Sequence, residues 1–115
     1  MARYLYQAAY TVAAWQAQLD TPRDPAQRVE PLAAELGGRL ESIHYCFGEH
    51  DIVAVIELPD DEAMAAFALA VGAGGAVHSA RTTKLLEVSA GLSAMRRAKA
   101  AGQKYVPPLR EMART

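Results

Sequence analysis

Cysteine is almost absent from this chain. Cys46 is the only one, which excludes an intramolecular disulfide, a multi-thiolate zinc site and a Cys-x-x-Cys redox pair. Long apolar runs are missing too, since none approaches the ~20 residues that span a bilayer. The N-terminal Met1-Ala2-Arg3-Tyr4 passes straight into strand-like sequence without an apolar signal core. No membrane partner and a cytoplasmic location are therefore expected. Charge of one sign is also lacking. The formal net charge is -1, and the scattered basic residues leave no electrostatic footprint for nucleic acid. Arg96, Arg97 and Lys99 form the densest basic group and read as a solvated helix face. No Walker pattern and no nucleophile elbow occurs. The Gly72-Ala73-Gly74-Gly75 stretch follows a helix, the wrong context for a dinucleotide fingerprint. No cofactor is expected.

What is present describes a folded domain. Hydrophobic residues make up 51% and charged residues 22% of 115 positions, a balance that argues against disorder. A chain of this length forms one domain and buries roughly two-thirds of its unfolded surface. Residues 1–102 read as that domain and residues 103–115 as an extended tail carrying Tyr105 and Pro107-Pro108.

Residues 3–12 are rich in aromatics, free of Gly and Pro, and predict a first strand. Ala13 to Leu19 has helical character, cut short by Asp20-Thr21-Pro22. Asp24-Pro25-Ala26-Gln27 is a helix start: Asp24 caps, Pro25 suits the first position and Gln27 completes a capping box. Val29, Leu32, Ala33 and Leu36 follow at helical spacing, and Gly37-Gly38 ends the helix. Pro31 inside it predicts a kink or a later start. Strands over residues 39–47 and 51–58 flank a tight turn at Gly48-Glu49-His50. Pairing Phe47 with Ile52 would set Tyr45 against Ala54 and Ile43 against Ile56, an apolar face, leaving His44, Cys46, Val53, Val55 and Glu57 on the other. Pro59-Asp60-Asp61-Glu62 opens a second helix with carboxylates at its positive end, and Met64, Phe67, Ala68 and Val71 form its buried stripe. A fourth strand is expected over residues 77–88. A third helix follows, capped by Ser89, with Leu92 and Met95 inward, and Gly102 ends it.

The order strand–helix–strand–strand–helix–strand is the ferredoxin-like split βαβ arrangement of an α+β protein. Its antiparallel sheet has strand order 4-1-3-2 with both helices on one face. The other face must be covered as well, and self-association does so most simply. A homodimer, two sheets facing each other in a dimeric α/β barrel, is the expected assembly; a higher oligomer is the other outcome.

At Gly48-Glu49-His50-Asp51, followed by Ile-Val-Ala-Val-Ile-Glu-Leu-Pro-Asp-Asp-Glu-Ala, the chain resembles the GYD-domain family, named for a Gly/Tyr/Asp motif at this hairpin. Leu36-Gly37-Gly38, Gly75-Ala76-Val77 and Tyr105-Val106-Pro107-Pro108 extend the likeness from about Pro22 to Pro108. Two departures stand out: His50 occupies the tyrosine position, and Pro31 interrupts the first helix. The resemblance implies the dimeric α/β-barrel superfamily, which includes cofactor-independent monooxygenases, polyketide cyclases, haem-degrading enzymes and proteins that only bind ligands.

The topology gathers Glu49, His50 and Asp51 near Tyr10, Thr11 and His78. Two imidazoles and two carboxylates there would suit general acid–base work; a solvated hairpin with Asp51 bonding turn amides is the plainer reading. These are also metal-ligand types, but no His-x-His or Glu-x-x-His spacing accompanies them, and no metal is expected. His44 beside Cys46 would assist a thiolate, against the alternative of a small buried apolar cysteine. Tyr4, Tyr6 and Tyr10 share one side of the first strand and either line a pocket for a planar ligand or pack the core. Arg81 pairs with a carboxylate such as Glu57 or faces a polar cavity.

Two functions stay open. One is a non-catalytic dimer that binds a small apolar or aromatic ligand or a partner protein, with Tyr6, His44, Glu49, His50, His78 and Arg81 as binding residues. The other is a cofactor-independent cyclase, isomerase or monooxygenase acting on an aromatic or polyketide-like metabolite. Its catalytic candidates are His44, His50, His78 and Asp51, and it requires a void under the helices with a histidine pointing into it.

Overall fold

The computed structural model describes residues 1–108. Residues 1–85 and the segment from Leu86 onward are separate compact units. The first contains β1 (Ala2–Tyr10), α1 (Val12–Asp20), α2 (Ala26–Glu35), β2 (Arg39–Tyr45), β3 (Ile52–Leu58), α3 (Asp61–Ala73) and β4 (Val77–Leu85). The second holds α4 (Val88–Ala101) and a 3-10 turn over Gly102–Lys104. None of the residues of α4 is buried.

The four strands form one antiparallel sheet in the order β2-β3-β1-β4, the expected 4-1-3-2 read from its other edge. The period of two sends Tyr4, Tyr6 and Ala8 of β1 and Ile52, Ala54, Ile56 and Leu58 of β3 to one face, where all are buried. That inner face carries α2, through Val29, Leu32, Ala33 and Leu36, and α3, through Met64, Phe67, Ala68 and Val71. Burial of Phe67, Ile56 and Leu58, each almost fully enclosed, stabilises the unit by about 1.5–3 kcal/mol per side chain.

Local chemistry sets the element boundaries. The first strand stops at Tyr10 rather than residue 12, because the Thr11 hydroxyl accepts from the Ala14 amide (3.1 Å) and starts α1. Pro25, not Asp24, stands at the N-terminal cap of α2, without a side-chain cap bond, and the Asp24 carboxylate accepts from the Ala26 amide at 2.9 Å. Pro31 lies within a continuous α2, on its exposed side. Asp60 caps α3 by accepting from the Ala63 amide at 2.9 Å, with Asp61 and Glu62 in the first turn.

Four further expectations are corrected. The fourth strand ends at Leu85, and Glu87, not Ser89, stands at the N-terminal cap of α4. The hairpin register differs by two residues. Tyr45 opposes Ile52, Ile43 opposes Ala54, and a bulge at Glu41 then sets Leu40 opposite Ile56. An even shift preserves the faces, so the apolar face survives the change. Arg81 does not reach Glu57. It lies across from Gln7, whereas Glu57 receives the Nε groups of Arg39 (2.8 Å) and Arg3 (3.3 Å). Those guanidiniums, Arg39 foremost, hold the Glu57 carboxyl below the usual range.

The outer face bears Leu5, Val53 and Val55, all half-exposed. A charged group of Arg3, Arg39, Glu41 and Glu57 borders them at one end. His44, Gln7 and Arg81 lie at the other.

Candidate functional site

Small residues at the centre of the inner face leave room beneath the helices. Ala54 lies between Ile43 and Tyr6 across the sheet, and Ala8 lies between Ile52 and Ala80. Above them Val29 and Leu32 of α2 and Phe67 and Val71 of α3 close a cavity of about 170 Å³. The Phe67 ring meets Tyr6 edge-on, with centroids 5.3 Å apart and planes at 82°.

Among the described residues only Tyr6, Tyr10 and Arg28 bring hydrogen-bonding side chains to this wall. Burial pushes the Tyr6 phenol up, with Tyr10 adding to the effect. Burial also raises Tyr10, opposed by its hydrogen bond from Arg28. Both phenols therefore keep their protons at neutral pH and remain donors. The Arg28 Nη2 donates to the Tyr10 hydroxyl (3.4 Å) and to the Gln18 amide oxygen (3.2 Å). Tyr10 also packs edge-on against Trp15, at 5.3 Å and 80°. A second, more open hollow of about 310 Å³ lies along α1, lined by Ala14, Ala17, Gln18, Thr21 and Arg23. Tyr10, Arg28 and Ala76 line both spaces and stand between them.

The hairpin end of the sheet is organised by Asp51. Its Oδ2 accepts from the Tyr10 amide (2.9 Å) and from the Trp15 indole (3.2 Å), while its own amide donates to the Ala8 carbonyl (2.9 Å). The carboxylate thus bonds the end of β1 and α1 rather than the amides of its own turn. The Cys46 thiol donates to the His50 carbonyl at 3.2 Å, not to His44. Glu49 is exposed at the turn tip.

The candidate residues are therefore dispersed. His50 precedes β3 and His78 lies in β4, with β1 between those strands. His44 sits on the outer face opposite Val53, and Arg81 on the same face opposite Gln7. Of the sequence candidates, Tyr6 and Tyr10 line the cavity. Among the described residues no three His, Cys, Asp or Glu side chains group closely enough to hold a metal ion. Arg28 escaped the sequence reading although its position carries a signal. It immediately precedes Val29 and lies four residues before Leu32, at the border of the apolar stripe of α2.

The comparisons with known proteins bear mainly on the family. A solved structure of a transcriptional regulator from Neisseria meningitidis, in complex with L-Met, is 14% identical with a TM-score of 0.47. The alignment covers 75% of this chain and 50% of that one, so this chain spans about half its length. No curated protein matches the sequence. The family model of the GYD domain matches residues 4–95, and by that match over most of its length the chain belongs to the GYD-domain family.

Proposed function

We propose that the protein binds a small apolar ligand in the cavity between the inner face of the sheet and helices α2 and α3, without transforming it. The cavity itself carries this reading: a wall of Ala8, Leu32, Ile52, Ala54, Phe67 and Val71 relieved only by Tyr6, Tyr10 and Arg28. Such a site is apolar with a few convergent polar groups, the usual composition of a small-molecule pocket. Among the described residues its wall holds no carboxylate, imidazole or thiol, the groups that most often move protons in catalysis. His44 and Arg81 then belong to the outer face, where the half-exposed Leu5, Val53 and Val55 support pairing with a second copy.

Thermal unfolding with phenol as a neutral probe tests this reading. A ligand that binds only the folded state raises the midpoint with concentration. Phenol at millimolar concentration should raise it in the wild type and leave it unmoved in Ala54→Leu, whose side chain occupies the space. Ala8→Val provides a second filled variant should Ala54→Leu lose its fold. An unmoved midpoint in the wild type, or equal rises in wild type and filled variants, overturns the proposal.

A further inference from the structure

We infer that the ligand of this cavity carries a carboxylate, with its apolar body beneath Phe67 and its charged end on the Arg28 guanidinium at the passage to the outer hollow. This rests on the ligand-binding reading above and specifies its ligand.

Size limits the body. A cavity of about 170 Å³ is close to the ~150 Å³ apolar cavity that accommodates benzene. One aromatic ring or a comparable aliphatic chain fills it. The remainder of the molecule must lie toward Tyr10, Arg28 and Ala76, which separate the cavity from the outer hollow.

Charge selects the end group. Both hydrogen-bond partners of Arg28 are neutral, the Tyr10 hydroxyl and the Gln18 amide oxygen. No carboxylate pairs with it among the described residues. Arg23 lines the same outer hollow, and among the described residues no Asp or Glu lines either space. An approaching anion thus meets two cations in these linings, and the carboxylate that acts on the Tyr10 phenol, Asp51, is already engaged by the Tyr10 amide and the Trp15 indole. Arg28 is exposed, so the carboxylate can remain hydrated on one side and escapes the cost of burial in an apolar wall. The guanidinium offers a planar pair of donors that matches a carboxylate. The Tyr10 hydroxyl, already at hydrogen-bonding distance from Arg28, is placed to add a third.

The test compares phenylacetate with 2-phenylacetamide, which have the same shape and differ in charge at neutral pH. Both are titrated into the protein, with amide resonances of Ala54, Phe67 and Val71 followed by two-dimensional NMR. Phenylacetate should shift these resonances and bind about tenfold or more tightly than the amide, the scale of a hydrogen bond to a charged group. Arg28→Gln should abolish that preference, whereas Arg23→Gln should reduce it only slightly. Equal wild-type affinities would overturn the carboxylate assignment and leave the cavity reading standing. A preference that survives Arg28→Gln would overturn the role of Arg28. If neither compound moves the cavity resonances, the ligand-binding reading falls, and this inference with it.

Discussion

Asp51 ties together the end of β1, the start of β3 and helix α1 through one carboxylate oxygen and one amide. Replacing it with alanine leaves the Tyr10 amide and the Trp15 indole without their acceptor, a loss of about 1–3 kcal/mol. Chemical denaturation of Asp51→Ala should show a loss in that range, with Asp51→Asn losing less because it retains a carbonyl acceptor. A change under 0.5 kcal/mol in Asp51→Ala, the size of a bland surface substitution, would show that the carboxylate is a solvated turn residue. Sequence placed Asp51 at this hairpin and marked it as chemically significant. Its partners were less legible, because Tyr10 and Trp15 lie 41 and 36 positions away. The histidines illustrate the same limit: His50 and His78 fall at turn and strand positions that topology alone drew together, but β1 intervenes. Tyr4 was more readable. Its place on the inner face follows from period two, and its hydroxyl donates to Asp61 at 2.6 Å. Burial first, then that hydrogen bond, pushes its phenol up to about 12. The unfolded chain ionises it near 10.0, so its contribution to stability is complete below that pH and lost as pH rises through 12.

Among the elements, the junction of α2 and β2 shows most clearly what a sequence pattern can and cannot say. Gly37-Gly38 was readable as a helix stop, and Gly37 does adopt the left-handed conformation (φ 87°). Gly38 has a different role. A Cβ there would lie 1.9 Å from the Glu57 carbonyl oxygen and 2.8 Å from Leu58 Cδ2. The approach of this junction to β3 demands the absence of a side chain. Gly38→Ala should therefore destabilise by at least about 2 kcal/mol, since the obstruction is backbone and cannot rotate away. Equilibrium unfolding measures this directly; a loss below 0.5 kcal/mol would contradict the close packing. The register of the following hairpin was misjudged by two residues for an equally local reason. Strands that are apolar on the inward positions accept any even shift without exposing them, so hydrophobicity settles the faces and not the pairing. The bulge at Glu41 leaves no mark in the apolar pattern.

At the scale of the molecule, residues 1–85 use the two faces of one sheet differently. The order of strands and helices made the ferredoxin-like topology legible, because the alternation of periods two and 3.6 is written into the apolar positions. The cavity was not legible to the same degree. It arises where Ala8 and Ala54 oppose each other's neighbours beneath Phe67, a coincidence of register and helix placement. The outer face, with the half-exposed Leu5, Val53 and Val55, is proposed to pair with a second copy. Light scattering should give a dimeric mass for the wild type at micromolar concentration and a monomeric mass for Val55→Lys, whose charge would be buried in the pair without a partner. A wild-type monomer, or a variant that still pairs, would contradict that proposal.

The inner face carries the central claim, that an accessible apolar cavity lies between Ala54 and Phe67 to receive a ligand. A crystal structure of the protein under xenon pressure tests it most directly, because xenon enters dry apolar cavities of this size. A xenon atom is expected within van der Waals contact of Ala54, Phe67 and Val71. Unoccupied space at that position, with the surrounding side chains closed over it, would contradict it.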